Sequence, residues 1–145
     1  MSMSNTSETG LLNLLFKNIA WADIGDAAGL QPSATAGNFY VALHSADPAE
    51  AGNQSTSEIS YTGYARVAVA RGAGFTVSGN TVSNAATVQF GECTAGTASV
   101  SYFTVGLAAS GAGAVLYRGA LNDVRSISGG ITPIYNTGAL SGVVD

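Results

Sequence analysis

The chain has 145 residues, with five Lys and Arg against nine Asp and Glu, a net charge of −4, and only 10% charged residues, compared with about 25% in an average soluble domain. No three basic residues fall within ten positions of one another, so the cluster of cations that releases counterions from nucleic acid is missing, and nucleic acid is not an expected partner. The longest apolar stretch, residues 11–16, is far shorter than the ~20 residues that span a bilayer, so no membrane segment is expected.

The first periodic pattern predicts an α-helix over residues 5–20. Asn5 can cap the first turn, and Glu8 stands at the capping-box position three residues later. Apolar residues then recur at the i, i+3, i+4 and i+7 positions of one helix face. These are Leu12, Leu15, Phe16 and Ile19. The predicted helix therefore has an apolar stripe that must be covered, either by this chain or by a neighbouring subunit.

Residues 21–37 read as a loop with at most one helical turn, because glycine and proline interrupt any longer pattern. From residue 38 onward the signals are those of β-structure. We therefore expect an N-terminal helix and linker arm over residues 1–37, followed by a single β-sandwich domain over residues 38–145.

Short apolar or alternating runs separated by turn signals predict roughly eight or nine strands in this second part. The runs lie at residues 38–45, 64–71, 74–78, 81–83, 85–92, 99–107, 114–121, 124–127, 131–135 and 140–144. Gly79 and Asn80 form a pair typical of a tight hairpin. No helix of crossover length separates the runs, so the strands should pair antiparallel. The predicted fold is all-β, a jelly-roll-like sandwich or barrel with a short N-terminal α-helix, and immunoglobulin-like wiring is the alternative.

The residues capable of chemistry are few and scattered. His44 is the only histidine and precedes Asp47 by three positions, but no Gly-x-Ser-x-Gly elbow accompanies them. The hypothesis favoured for His44 is a hydrogen bond to a backbone carbonyl. Cys93 has no basic neighbour and no second thiol, and the polar loop at residues 47–53 lacks the dense oxygen ligands of a calcium loop. We therefore predict no catalytic residues, no cofactor and no metal site.

The low charge has two interpretations. A surface with few charges suits a protein that is packed against neighbouring subunits, and it equally suits a neutral domain coated with Ser, Thr and Asn. In the run at residues 64–71, Arg66 and Arg71 stand at positions predicted to reach water or a partner, while Val67 and Val69 point the other way.

Several sequence blocks together resemble a widespread family of tailed-phage and prophage structural proteins. The blocks occur in the family's order and cover nearly the whole chain from residue 11. They are residues 39–48, 58–59, 62–66, 83–84, 88–90, 100–103, 110–113, 116–121, 130–133 and 138–140. Members of this family are often labelled tail fibre proteins, and others look like the cement or decoration subunits of phage heads.

Between these roles the absence of repeats and of coiled-coil heptads favours a capsid cement protein over a long fibre. The resemblance then implies that the chain binds the phage major capsid protein and itself, as a dimer or trimer, on the outer capsid surface of the virion, after synthesis in the bacterial host cytoplasm. The expected assembly interface uses the helix stripe or the Trp21 segment, with the two arginines as a polar rim. Its residues are Leu12, Leu15, Phe16, Ile19, Trp21, Arg66 and Arg71. A tail fibre or receptor-binding module is the alternative, and a small hydrolase using His44 is a remote one.

Overall fold

The computed structural model describes residues 2–145 and contains one helical segment and nine strands within that range. The helix α1 spans Asn5–Leu12 and continues into a π-helical turn at Asn13–Lys17. The strands are β1 (Asn38–His44), β2 (Val67–Ala70), β3 (Phe75–Ser78), β4 (Thr81–Asn84), β5 (Val88–Gln89), β6 (Ala98–Gly106), β7 (Val115–Ile127), β8 (Ile134–Tyr135) and β9 (Ser141–Val143). None of the helical structure is long and apolar enough to cross a membrane within the described range.

The helix begins and ends differently from the sequence-based expectation. Ser4, not Asn5, is the N-cap, and its Oγ accepts a hydrogen bond from the Ser7 amide at 3.4 Å. Asn18 adopts the left-handed conformation with φ of 56° and ends the helix, two residues before the predicted end. Residues 21–37 form the predicted loop, which consists of bends and turns without a helical turn.

The chain forms two compact units, each built from separated stretches of sequence. The first contains residues 2–38, Ala70–Ala86 and Thr137–Asp145. Its sheet has the order β3-β4-β9 with antiparallel pairing, and the predicted hairpin at Gly79 and Asn80 joins β3 to β4. The ring of Phe16 packs edge-on against Phe75 at a centroid distance of 5.0 Å, so the helix contributes to the core of this unit.

The second unit contains Phe39–Val69 and Thr87–Asn136. Most of it is a four-stranded sheet of order β2-β1-β6-β7, and β5 and β8 form a separate two-stranded ribbon. The central strand β1 is buried on both faces from Val41 to His44, and its partner β6 is buried over its last four residues. A cluster of rings, Tyr61, Tyr64, Phe90 and Tyr135, packs inside this unit.

These observations confirm an all-β, sandwich-class fold with one short N-terminal helix and antiparallel pairing wherever the strand register is defined. Several strands differ in extent from their predictions. β2, β5 and β8 are shorter than the runs at residues 64–71, 85–92 and 131–135. The runs at residues 114–121 and 124–127 form the single 13-residue strand β7, which tolerates the polar pair between them because it lies at the edge of the sheet. The division at residue 37 stays a prediction.

Candidate assembly surface

The helix stripe proposed as an interface is mostly covered by the chain itself. Leu12 and Phe16 are 0% and 1% exposed, whereas Ile19 is 51% exposed. Leu15 is half-buried. The π turn and the left-handed Asn18 change the direction of the chain before Ile19, so Ile19 does not continue the stripe. In this structure only Ile19 of the four side chains is largely free to meet another subunit.

The segment after the helix is a well-defined loop, here called the Trp21 loop (residues 18–33). Its ends are joined by the Asn18 side chain, which donates to the Ser33 carbonyl at 2.9 Å and accepts from the Ser33 amide at 3.0 Å. The backbones of Trp21 and Leu30 exchange two hydrogen bonds of 2.9 Å. Ile24 and Leu30 are 42% and 44% exposed. The hydrogen bonds therefore fix the backbone of the loop, and the loop exposes the apolar side chains of Ile24 and Leu30.

Trp21 itself is half-buried and packs against the helix. The glycine at position 10 makes this contact possible, because a Cβ there would lie 2.6 Å from Cε2 of the indole. The predicted interface residue Trp21 thus fixes the loop to the helix and leaves only part of its ring exposed.

Arg71 binds the end of the helix. Its Nε donates to the Leu15 carbonyl at 2.6 Å and its Nη2 to the Leu14 carbonyl at 2.8 Å. A cation at a helix C-terminus satisfies carbonyls that have no partner within the helix and interacts favourably with the helix dipole. In the opposite direction, Lys17 in the last turn of the helical segment donates from Nζ to the carbonyls of Gly72 and Phe75 at 2.6 and 2.9 Å.

Arg66 lies in a buried ion pair in the second unit. Its Nε and Nη2 donate to the two carboxylate oxygens of Glu58 at 2.8 and 2.7 Å, and the side chain of Arg66 is only 2% exposed. Tyr64 donates its hydroxyl to the same carboxylate at 2.9 Å. The hydrogen bonds to Glu58 raise the pKa of Arg66, and burial raises the pKa of the Tyr64 hydroxyl, so the arginine stays charged and the tyrosine stays protonated.

The same guanidinium fixes a loop. Its Nη1 donates to the Ala108 carbonyl at 3.0 Å and its Nη2 to the Gly111 carbonyl at 2.7 Å. The strand before this loop is β6 and the strand after it is β7, so Arg66 sets the geometry of the hairpin between them. The guanidinium groups of both Arg66 and Arg71 thus form hydrogen bonds within the chain, and their role as a polar rim of an interface stays a prediction.

His44 is fully buried, with 0% exposure. Its Nδ1 lies 2.8 Å from the Thr56 carbonyl and must donate, because a carbonyl only accepts. Nε2 then accepts from the Thr104 hydroxyl at 2.9 Å. Burial lowers the pKa of the imidazole, against a smaller opposing effect of the Thr56 hydrogen bond. The predicted carbonyl hydrogen bond is confirmed, and the ring lies in the interior.

Asp47, considered as a partner for His44, instead binds Arg118. Nη1 of Arg118 lies 2.6 Å from both carboxylate oxygens of Asp47, and Nη2 lies 3.3 Å from Glu50. The Ala49 amide and Arg118 lower the pKa of Asp47. The carboxylates of Asp47 and Glu50 in this polar loop thus face the guanidinium of Arg118. Over residues 2–145 no three His, Cys, Asp or Glu side chains form a group that could hold a metal ion.

A further exposed apolar region was missed by sequence reasoning. Val124, Ile131 and Ile134 are 66%, 40% and 50% exposed, and the last two line a pocket of about 360 Å³ together with Arg125 and Tyr135. The sequence offered one signal, the polar pair at positions 122 and 123 that separates two predicted strand runs.

The fold and these internally bonded side chains define an all-β protein whose apolar loops and strand edge are presented outward. The model of the family described as Podophage GP4 fiber I protein gp80 matches residues 2–142. The chain belongs to this family and is a bacteriophage structural protein. No curated protein matches the chain.

Proposed function

We propose that this chain is a structural subunit of a phage fibre and acts in the virion by binding other subunits. The family match over residues 2–142 is the observation that carries the proposal, since the family is described by a fibre protein of a podophage. This favours the fibre role over the capsid cement role expected from the sequence. The lack of coiled-coil heptads is no obstacle, because a fibre can also be built from compact domains that repeat along an axis.

We propose the Trp21 loop as the surface that contacts the rest of the virion. Its hydrogen-bonded ends keep the backbone in one shape, so little conformational entropy is lost when a partner covers it. Ile19, Ile24 and Leu30 supply exposed apolar area, and burial of such area on assembly contributes about 25 cal/mol per Å². The charges within the loop are Asp23 and Asp26, which favours a neutral or basic partner surface.

We also propose that the chain has no enzymatic role. The one histidine has both ring nitrogens in internal hydrogen bonds and no exposed surface. A general base must reach the proton that it removes, and His44 can do so only if the surrounding strands separate. A purified protein that turns over a substrate, and loses this activity in His44→Asn, would contradict this part of the proposal.

Separation of phage heads from tails tests the proposed location. An antibody against the chain should detect it in the tail fraction, and gold-labelled antibody should mark fibres on intact virions. Detection only on separated heads would overturn the fibre role and support the cement role, with the major capsid protein as the partner.

The proposed contact surface is tested by incorporation of variants into particles. Ile24→Ser and Leu30→Ser should reduce the amount of the chain per virion, because they remove exposed apolar area without disturbing the core. Val143→Ser is the matched control, since Val143 is 59% exposed but lies in β9, outside the loop. Equal incorporation of all three variants would exclude the Trp21 loop as the contact surface.

A further inference from the structure

The edge strand β7 departs from its partner β6 in the middle of its length. Tyr102 pairs with Ala120, and Val100 pairs with Arg125. Only Ser101 lies between the two paired positions on β6, whereas residues 121–124 lie between them on β7. The extra residues must arch away from β6. We call residues 122–126 the β7 crest; they are the exposed residues of this arch and the two exposed residues, paired with β6, that follow it.

The outer edge of β7 has no backbone partner at the crest. β7 is the last strand of its sheet, and no amide or carbonyl of residues 122–126 bonds to a segment other than β6 within the described part of the chain. All five crest residues are exposed, and Val124 at 66% is the most exposed of the large apolar side chains. A long edge strand with unpaired backbone groups is a ready template for another chain.

The two charged residues of the crest are not paired with an opposite charge in the described part of the chain. Asp123 and Arg125 form no hydrogen bond or ion pair in the described structure, whereas Arg66 and Arg118 are both paired. The two crest charges cancel, so the crest is neutral on a chain whose net charge is −4. Two copies of this chain repel each other less through the crest than through an average part of their surface.

The crest sequence is complementary to itself when reversed. In an antiparallel approach centred on Val124, Asp123 of one copy lies opposite Arg125 of the other, and the reverse contact occurs on the far side of the axis. Asn122 then lies opposite Ser126, and Val124 opposite Val124. Each charged side chain therefore faces an opposite charge, each polar side chain faces a polar one, and Val124 faces Val124. This is the arrangement of a twofold interface in which the same patch serves both copies.

We propose that the β7 crest is a self-association surface at which two copies of this chain meet around a twofold axis through Val124. Ile131 and Ile134, which lie beside Arg125 at the rim of the 360 Å³ pocket, extend the apolar part of this contact. The proposal does not rest on the fibre role, because it depends only on the geometry and charges of the crest.

Charge reversal tests the twofold arrangement. Asp123→Arg and Arg125→Asp each place two like-charged pairs across the axis, and each should raise the dissociation constant of the dimer by at least about tenfold. The double variant D123R/R125D restores both attractions and should associate like the original chain. A mixture of the two single variants should also associate, since each supplies the charges that the other needs.

Sedimentation equilibrium of the purified chain measures these constants, with circular dichroism to confirm that each variant is folded. Val124→Ser should weaken association, and the matched control Val143→Ser should not. The proposal is overturned if the original chain is monomeric at all concentrations, or if neither the double variant nor the mixture regains association. It is equally overturned if Val143→Ser weakens association as much as Val124→Ser.

Discussion

Replacing Arg66 with alanine should destabilise the second unit more than any other single change of a charged residue. The substitution removes the donors to both oxygens of Glu58 and to the carbonyls of Ala108 and Gly111. Glu58 then keeps only the Tyr64 hydroxyl as a partner. A negative charge is left in a place where its side chain is only 17% exposed.

The expected loss follows from the cost of separating a buried ion pair. Removing one partner of such a pair costs about 3–5 kcal/mol, mainly because the remaining charge is poorly solvated. Some water reaches Glu58, so we expect a loss of about 2–4 kcal/mol, somewhat below that range. This is a large fraction of the ~5–15 kcal/mol by which an average protein is stable.

Urea denaturation of the original chain and of Arg66→Ala measures the free energy of unfolding. Arg118→Ala is the control, because its ion pairs with Asp47 and Glu50 are solvent-exposed and should contribute little to the free energy of unfolding. The double variant Arg66→Met with Glu58→Gln should be more stable than Arg66→Met alone, since no unpaired charge is then buried.

Hydrogen exchange gives a second readout of the same contact. Loss of the bonds to Ala108 and Gly111 should speed exchange in the hairpin loop between β6 and β7. A loss of stability no greater than that of Arg118→Ala, or an R66M/E58Q double variant less stable than Arg66→Met, would refute the reasoning that the buried pair fixes this loop.

Three further changes probe other parts of the chain. Burial lowers the pKa of His44 below its ordinary 6.5. As the pH drops through 6.5, the unfolded state therefore binds more protons than the folded state, and the free energy of unfolding should fall by up to about 1.4 kcal/mol per pH unit. His44→Asn should flatten this part of the pH profile measured by urea denaturation. Gly10→Ala should displace the ring of Trp21, the only tryptophan, and shift its fluorescence to longer wavelength. Leu12→Ala should lower the free energy of unfolding by about 2–5 kcal/mol, since the side chain is fully buried.

Two of these three predictions have a matched control variant. Gly129→Ala introduces a methyl group into open space and should leave the tryptophan emission unchanged. Leu107→Ala alters a side chain that is 51% exposed and should cost far less than Leu12→Ala. Equal costs for the two leucine variants, an unchanged emission in Gly10→Ala, or an identical pH profile in His44→Asn would each contradict the corresponding argument.

The sequence alone determined the features that depend on neighbouring residues. Short runs of β-branched, aromatic or alternating residues, bounded by turn residues, located β1, β3, β4, β6 and β9 to within about two residues. Gly79 and Asn80 also marked the β3-β4 hairpin, since Gly79 has φ of 59°, a conformation that glycine adopts without strain.

The tertiary structure decided which of these surfaces are covered. Periodicity showed that the helix has an apolar stripe, but only the packing shows that Leu12 and Phe16 are buried within the chain while Ile19 is exposed. Likewise, an arginine in an alternating strand gives no indication of a carboxylate eight positions earlier, and the pairing of Arg66 with Glu58 depends on how the chain folds back. Burial and ion pairing are set by contacts between residues distant in sequence, which local patterns do not encode.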